Sequence, residues 1–179
     1  MTTPVALGWP AAFFDLPGID GRRHTPDTAR GAKGLLVMFL ANHCPYVRAI
    51  ATKIARDADA LAPLGIGSIA IMSNDAATYP EDSFDNMKLF AAEHGFNFPY
   101  VVDESQDVAR AYDAVCTPEF FGFDADLTLA YRGRLDASGR SANPAARREL
   151  YEAMAQVART GRAPLEQTPA IGCSIKWRG

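Results

Sequence analysis

Hydrophobic positions along the chain follow two alternating periods. The apolar run Gly34-Leu-Leu-Val-Met-Phe-Leu40 and the Ile-rich run Gly67-Ser-Ile-Ala-Ile-Met72 predict buried strands. Between them Val47, Ile50, Ile54 and Leu61 stand at spacings of three, four and seven, one face of a 3.6-residue period. That spacing predicts a helix from Pro45, ended by Pro63 and Gly65. A second helix is expected from about Thr78 to Glu93, where Thr78 and Glu81 have the capping-box spacing and Phe84, Met87 and Phe90 or Ala91 form the buried stripe. Pro99 to Val102 reads as a short strand and Gln106 to Tyr112 as a short helix. Glu119 to Phe123 and Thr128 to Arg132 read as an antiparallel hairpin turning at Asp124-Ala-Asp126. A last helix is expected from Asn143 as N-cap and Pro144 at the first position; it buries Leu150, Met154 and Val157 and stops at Gly161. The tail beyond it, with Pro164 and Pro169, reads as extended.

Strands alternating with helices predict an α/β fold, and 179 residues without repeats or linkers fit one domain, residues 1–179. A composition 48% hydrophobic and 22% charged is that of a globular chain rather than a disordered one. Eighteen basic against 21 acidic side chains leave a net charge of −3, which supplies no positive field for nucleic acid or an anionic membrane surface. The start, Met1 to Pro10, has neither a basic nor an apolar leader region, and three cysteines without a leader suggest a reducing compartment; the cytoplasm is the expected location.

Candidate chemistry gathers where the first long strand meets its helix, in Ala41-Asn-His-Cys-Pro-Tyr-Val47. The carboxyl end of a strand in an open α/β sheet is where sites form, and a helix amino terminus favours a thiolate through its dipole and free N–H groups. Cys44 is therefore the candidate nucleophile. His43 beside it is a candidate for thiolate stabilisation or proton transfer, weighed against a plain surface imidazole. His24 and His94 read as surface residues, and Glu81, Asp82 and Asp85 as a solvated helix start. Phe120, Phe121 and Phe123 read as sheet packing. Trp177 reads as an anchor for the tail or as part of a partner surface.

Gly8, Pro10, Phe13, Leu16 and Asp20-Gly21, followed by the apolar strand and Cys44-Pro45, resemble the first half of thioredoxin-fold redoxins of the AhpC/TSA and TlpA-like kind. Asn42-His-Cys-Pro-Tyr-Val47, Ser73-Asn-Asp75, Tyr79-Pro-Glu-Asp82, Cys116-Thr-Pro118, Tyr131-Arg-Gly-Arg-Leu-Asp136 and Ile171-Gly-Cys-Ser-Ile-Lys-Trp177 are similar to a peroxiredoxin-like subgroup of thioredoxin-family proteins. The resemblance implies a thioredoxin-like fold: a central mixed sheet flanked by helices, with an amino-terminal β extension and an extended carboxy-terminal tail. It also implies a cis peptide between Thr117 and Pro118 facing Cys44, and an antioxidant redoxin or thiol–disulfide oxidoreductase class.

Two departures shape the mechanism it implies. Thioredoxins place a second cysteine three residues after the first, where this chain has Val47, so the usual local resolving thiol is missing, and either a remote cysteine supplies it or Cys44 works as a monothiol with an external thiol such as glutathione. Cys116, two residues before Pro118, ranks ahead of Cys173 in the tail, because the tail must pay ordering entropy to reach the site. The expected catalytic set is thus Cys44, Cys116, Cys173, Thr117, Pro118 and His43, with no cofactor and no metal. The partners expected are a disulfide or oxidised-thiol substrate and a cellular dithiol or glutathione as reductant. Two alternatives stay open: a non-enzymatic module binding a partner or a thiol-held metal, and a weak peroxidase. The second departure bears on the latter. Typical peroxiredoxins carry Pro seven and Thr or Ser three residues before the reactive cysteine, where this chain has Val37 and Ala41. Hydrogen peroxide should accordingly be consumed orders of magnitude more slowly than by a dedicated peroxidase. Rapid stopped-flow oxidation abolished by Cys44→Ser would contradict that expectation.

Overall fold

The structure, a computed structural model, describes residues 7–179. The reading of the amino terminus rests partly on residues 1–6, which lie outside the described residues. Strands β1 (Leu16–Pro17) and β2 (Arg23–His24) pair antiparallel as the amino-terminal extension, followed by helix α1 (Pro26–Ala29) behind a Thr25–Thr28 capping box. Then come β3 (Gly34–Phe39), α2 (Pro45–Leu61), β4 (Ile66–Met72), α3 (Phe84–His94), β5 (Tyr100–Val102), α4 (Asp107–Ala111), β6 (Cys116–Thr117), β7 (Glu119–Phe123), β8 (Leu129–Gly133), α5 (Glu149–Thr160) and β9 (Cys173–Ser174). Five strands form the central sheet in the order β5-β4-β3-β7-β8. The β3–β4 and β4–β5 pairs are parallel and the β3–β7 and β7–β8 pairs antiparallel, so the sheet is mixed.

The unbroken apolar run of β3 follows from its central place, covered on both faces. Leu36, Met38 and Leu40 pack with the buried stripes of α2, α3 and α5. Leu35, Val37 and Phe39 face the other way, into a second core with Phe14, Val108, Tyr112, Phe121 and Phe123. Helix α2 runs on into a 3-10 turn, Ala62–Leu64, and Gly65 closes it at φ 92°, a left-handed conformation that suits glycine. Among the described residues no helix is long and apolar enough to cross a membrane.

Two helix starts differ from the sequence expectation. Helix α3 begins at Phe84 with Ser83 as its N-cap, the Ser83 hydroxyl accepting the Asn86 N–H at 3.2 Å. Thr78 instead donates to the Asp75 carboxylate at 2.7 Å, and Pro80–Asp82 form a 3-10 turn. Helix α5 begins at Glu149, because Asn143 spends its side-chain oxygen on the Ala145 N–H in a local turn, one of the non-helical conformations that Asn favours. Two histidines also differ. His24 is buried with Nε2 2.9 Å from Asp20 Oδ2, and His94 is half-buried with its ring centroid 4.5 Å from that of Phe90. The phenylalanines of β7 are buried as expected.

The carboxy-terminal tail returns across the molecule. β9 pairs antiparallel with β6, matching Thr117 with Cys173 and Cys116 with Ser174. This ribbon is so close that a Cβ at Gly172 would lie 2.0 Å from the Thr117 carbonyl oxygen; only glycine fits there. Beyond it Ile175 is buried in the second core. The Lys176 N–H donates to Asn74 Oδ1 at 2.9 Å, and its carbonyl accepts from the Asp75 N–H and from Gln106 Nε2. The Arg178 N–H donates to Gln106 Oε1, and the Arg110 guanidinium sits 4.8 Å from the Trp177 ring centre. Trp177 thus anchors the tail while keeping part of its ring exposed.

After β8 the chain is tied to α2 by two cations, Arg148 reaching Asp57 of α2 and Lys53 reaching out from α2. Lys53 Nζ donates to Asp136 Oδ2 and to the Asn143 carbonyl, both at 2.6 Å, and to Ser138 Oγ at 3.2 Å.

Two outcomes follow from these contacts. Gly172→Ala should push the ribbon apart while leaving the sheet intact: amide hydrogen exchange at residues 173–178 should rise roughly tenfold or more, with the thermal midpoint little changed. Unaltered exchange there would show that the approach at Gly172 is not what holds the tail. For Asp136, burial alone would raise the carboxyl, but hydrogen bonds from Lys53 and Ser138 and the Lys53 charge outweigh it and hold the group below its ordinary value. A carboxylate lowered by folding contributes stability in full above its unfolded pKa and loses it as pH falls through the folded value. The urea midpoint of wild type should therefore exceed that of Asp136→Asn at pH 7, and the gap should narrow below about pH 4.

Candidate active site

Strand β3 delivers the chain to its carboxyl end, and Leu40 and Ala41 continue it, both buried. Asn42 and His43 turn it into α2, with Cys44 as N-cap residue and Pro45 in the first turn, where a missing N–H costs no helical bond. The Cys44 carbonyl accepts the first helical bonds, from the Val47 and Arg48 N–H groups. Its side chain is fully buried. Cys44 Sγ lies 3.2 Å from the Thr117 carbonyl oxygen and 2.9 Å from Cys173 Sγ. All three cysteines are free thiols. The structure therefore brings Cys173, not Cys116, against Cys44, reversing the order expected from sequence.

The reversal has a backbone cause. Successive side chains on a strand point to opposite faces, and in the β6–β9 ladder it is Thr117 that pairs with Cys173. Cys116 instead pairs with Ser174 and is buried, its sulfur 3.8 Å from the Pro118 carbonyl. Burial, and after it the Glu119 charge, push its thiol up to about 12. Cys173 is half-buried. Burial pushes its thiol up to about 11, assisted by the hydrogen bond and charge of Cys44 and opposed by Lys176 and the Tyr46 N–H. The Thr117–Pro118 peptide is cis, and Thr117 Oγ1 is buried without a hydrogen-bond partner among the described residues.

His43 is neither free nor simply exposed. Its Nδ1 lies 2.5 Å from Asp82 Oδ2, a close contact outside hydrogen-bond angles, and its ring stacks on Tyr79 with the planes 4° apart. The ring lines a cavity of about 450 Å³ shared with Arg48, Glu81 and Phe90.

Asp82 corrects the sequence reading most sharply. Expected in a solvated helix start, it is wholly buried. Its Oδ1 accepts the Asn42 N–H at 2.8 Å and the His43 N–H at 3.3 Å, and its Oδ2 accepts from Asn74 Nδ2 at 3.0 Å. Asn42 is fixed further by the Tyr100 hydroxyl, which donates to Asn42 Oδ1 at 2.8 Å. Burial, together with the Asp82 charge, holds that phenol well above its ordinary range, so it stays a donor. Asn74 and Gln106 also join the site, each buried and each bonded to the tail. One available signal was the polar triplet Ser73-Asn-Asp75 at the carboxyl end of an apolar parallel strand, the position where α/β folds place sites. Among the described residues no group of three His, Cys, Asp or Glu side chains is arranged to hold a metal ion.

Comparison with known proteins agrees with this architecture. The crystal structure of an uncharacterized conserved protein from Geobacillus kaustophilus is 43% identical, with a TM-score of 0.91, over 97% of this chain and 93% of that one. A hypothetical protein from Sinorhizobium meliloti 1021 is 35% identical, with a TM-score of 0.93, over 99% and 97% of the two chains. The thioredoxin domain of a thiol-disulfide oxidoreductase from Bacteroides vulgatus, 18% identical with a TM-score of 0.61 over 72% of this chain and 88% of that one, shares the fold. No curated protein matches. The AhpC/TSA family model matches residues 7–132, well over half of the sequence, and with the thioredoxin-like sheet described above it establishes that the chain belongs to the AhpC/TSA family.

Proposed function

We propose that the chain is a thiol–disulfide oxidoreductase whose working pair is Cys44 and Cys173. One observation carries the reading: two free thiols from segments 129 residues apart meet at 2.9 Å, one of them on the residue at the N-cap position of a 17-residue helix. A disulfide needs sulfurs at roughly 2.05 Å, so a short closure is enough to join them.

In the forward direction the Cys44 thiolate attacks one sulfur of a substrate disulfide R–S–S–R′. The Cys44–S–S–R bond forms, R′S⁻ leaves, and it takes a proton from solvent. Cys173 then attacks Cys44 Sγ, the mixed disulfide breaks, RSH departs, and the Cys44–Cys173 bond remains. A cellular dithiol or glutathione reverses the last step and restores both thiols. Burial is the largest cause of the raised Cys173 thiol, and the contact with Cys44 adds to it; the Cys44 part is removed once Cys44 is bound in a mixed disulfide.

The remaining candidates take lesser parts. The Thr117 carbonyl holds Cys44 Sγ, and Pro118, joined to Thr117 by the cis peptide, forms the bend between β6 and β7. Cys116, its thiol raised to about 12 and its sulfur against Pro118, is a bystander. His43 receives no chemical step, because its ring is committed to Asp82 and Tyr79.

Mild oxidation followed by peptide mapping should give a Cys44–Cys173 bridge with Cys116 free. Cys173→Ser should accumulate a mixed disulfide on Cys44 when treated with oxidised glutathione, while Cys116→Ser should behave as wild type. A Cys44–Cys116 bridge would overturn the pairing and move the resolving role to Cys116, whereas no bridge at all would overturn the dithiol mechanism and favour a module that binds a partner without redox chemistry.

A further inference from the structure

Two separate segments must be held still for Cys44 and Cys173 to meet, and both end on one buried carboxylate. On one side, Asp82 Oδ1 accepts the N–H groups of Asn42 and His43, the two residues that lead directly into Cys44. On the other, Asp82 Oδ2 accepts from Asn74 Nδ2, and the carbonyl of the same Asn74 amide accepts the Lys176 N–H, three residues past Cys173. Asp82 is wholly buried and Asn74 nearly so, which leaves neither group water as a substitute partner. We propose that Asp82 is a positioning residue for the thiol pair, acting through Asn74 to hold the Cys44 loop and the Cys173 tail in mutual register.

The chemistry of the amide makes the link directional. Asn74 can donate to Asp82 and accept from Lys176 only because residue 82 is a pure acceptor. With an amide at position 82 accepting from Asn42, an N–H₂ group faces Asn74. Asn74 must then turn its carbonyl away from the Lys176 N–H, or leave two donors opposed in a buried site. Either way the tail loses its tie to the loop, although no sulfur has been touched. Buried groups in one hydrogen-bonded network commonly behave as a unit, so the two residues should not act independently.

The inference rests on the Cys44–Cys173 pair described above, and its effect is on disulfide closure. In that step two Cys–SH groups and one low-molecular-weight disulfide, R–S–S–R, become the Cys44–Cys173 bond and two RSH; two electrons and two protons pass to the external disulfide. Positioning raises the effective concentration of one thiol at the other and so favours the internal bond.

The test equilibrates the full chain in a series of glutathione buffers and reads the Cys44–Cys173 bond by acid quenching and mass spectrometry. Asp82→Asn and Asn74→Ala should each lower the equilibrium constant for the bond roughly tenfold, about 30 mV for a two-electron couple. The double variant should fall no further than the lower single one. Tyr112→Phe removes a partly buried hydroxyl bond, to the Ala12 carbonyl in the second core, that touches neither the Cys44 loop nor Asn74; it should lower the thermal midpoint and leave the constant within about twofold. Constants unchanged in both Asp82→Asn and Asn74→Ala, or lowered equally by Tyr112→Phe, would overturn the proposal while leaving the thiol pair intact. Asn74→Ala keeps the buried carboxylate and serves as the deciding variant if Asp82→Asn does not fold. Wild-type protein that forms no Cys44–Cys173 bond would overturn the underlying reading and this one with it.

Discussion

A carboxylate with no exposed surface must find donors inside the protein, because its desolvation is not otherwise recovered. Asp82 finds them in the loop before α2 and in the residue that receives the tail. The arrangement of the whole site depends on that requirement. It fixes where the chain leaving β3 turns into α2, and therefore where Cys44 sits. It also fixes the orientation of the Asn74 amide, and with it the course of residues 174–178 across the carboxyl ends of β4 and β5. Gln106, buried and at a left-handed φ of 68°, reinforces the same course with three further bonds, to Ser73, Lys176 and Arg178.

Much of the fold was legible because it follows from short-range pattern. The continuous apolar run of β3 announced a strand buried on both faces, and the three-four-seven spacing placed α2 with its start at Pro45. Those two elements together put Cys44 at a strand-to-helix junction. Where the structure departs from the pattern, the cause is shared: the residue types that start helices also serve turns and long-range bonds. Thr78 and Asn143 carry N-cap chemistry, yet each spends it on a turn. Asp82 falls inside a helical pattern, and nothing within its own window shows that it accepts from the Asn42 N–H, 40 residues upstream.

The choice between the two remote thiols illustrates the same limit. Closeness in sequence to Pro118 favoured Cys116, and the ordering entropy of the tail told against Cys173. The pleat places the thiols differently: one residue along β6 turns a side chain to the other face, so Cys116 is turned away while the backbone of Thr117 faces Cys44. The entropy of ordering the tail is met by contacts that local pattern does not reveal, among them the burial of Ile175 and the missing Cβ of Gly172. Glu119, buried and paired with Arg132, then places a carboxylate near Cys116 and helps to keep that thiol protonated.

The 129-residue separation of the meeting sulfurs has a consequence for the unfolded chain. A covalent bond between them would close a loop spanning most of the sequence, from the first helix turn after β3 to the last ordered strand. In the chain-entropy description, closing a loop of that size removes roughly 5 kcal/mol worth of freedom from the denatured ensemble. That is comparable to the entire net stability of a typical domain, about 5–15 kcal/mol. The oxidation state of two atoms would then be expressed as the folding equilibrium of the whole molecule, making resistance to denaturant a record of its redox history.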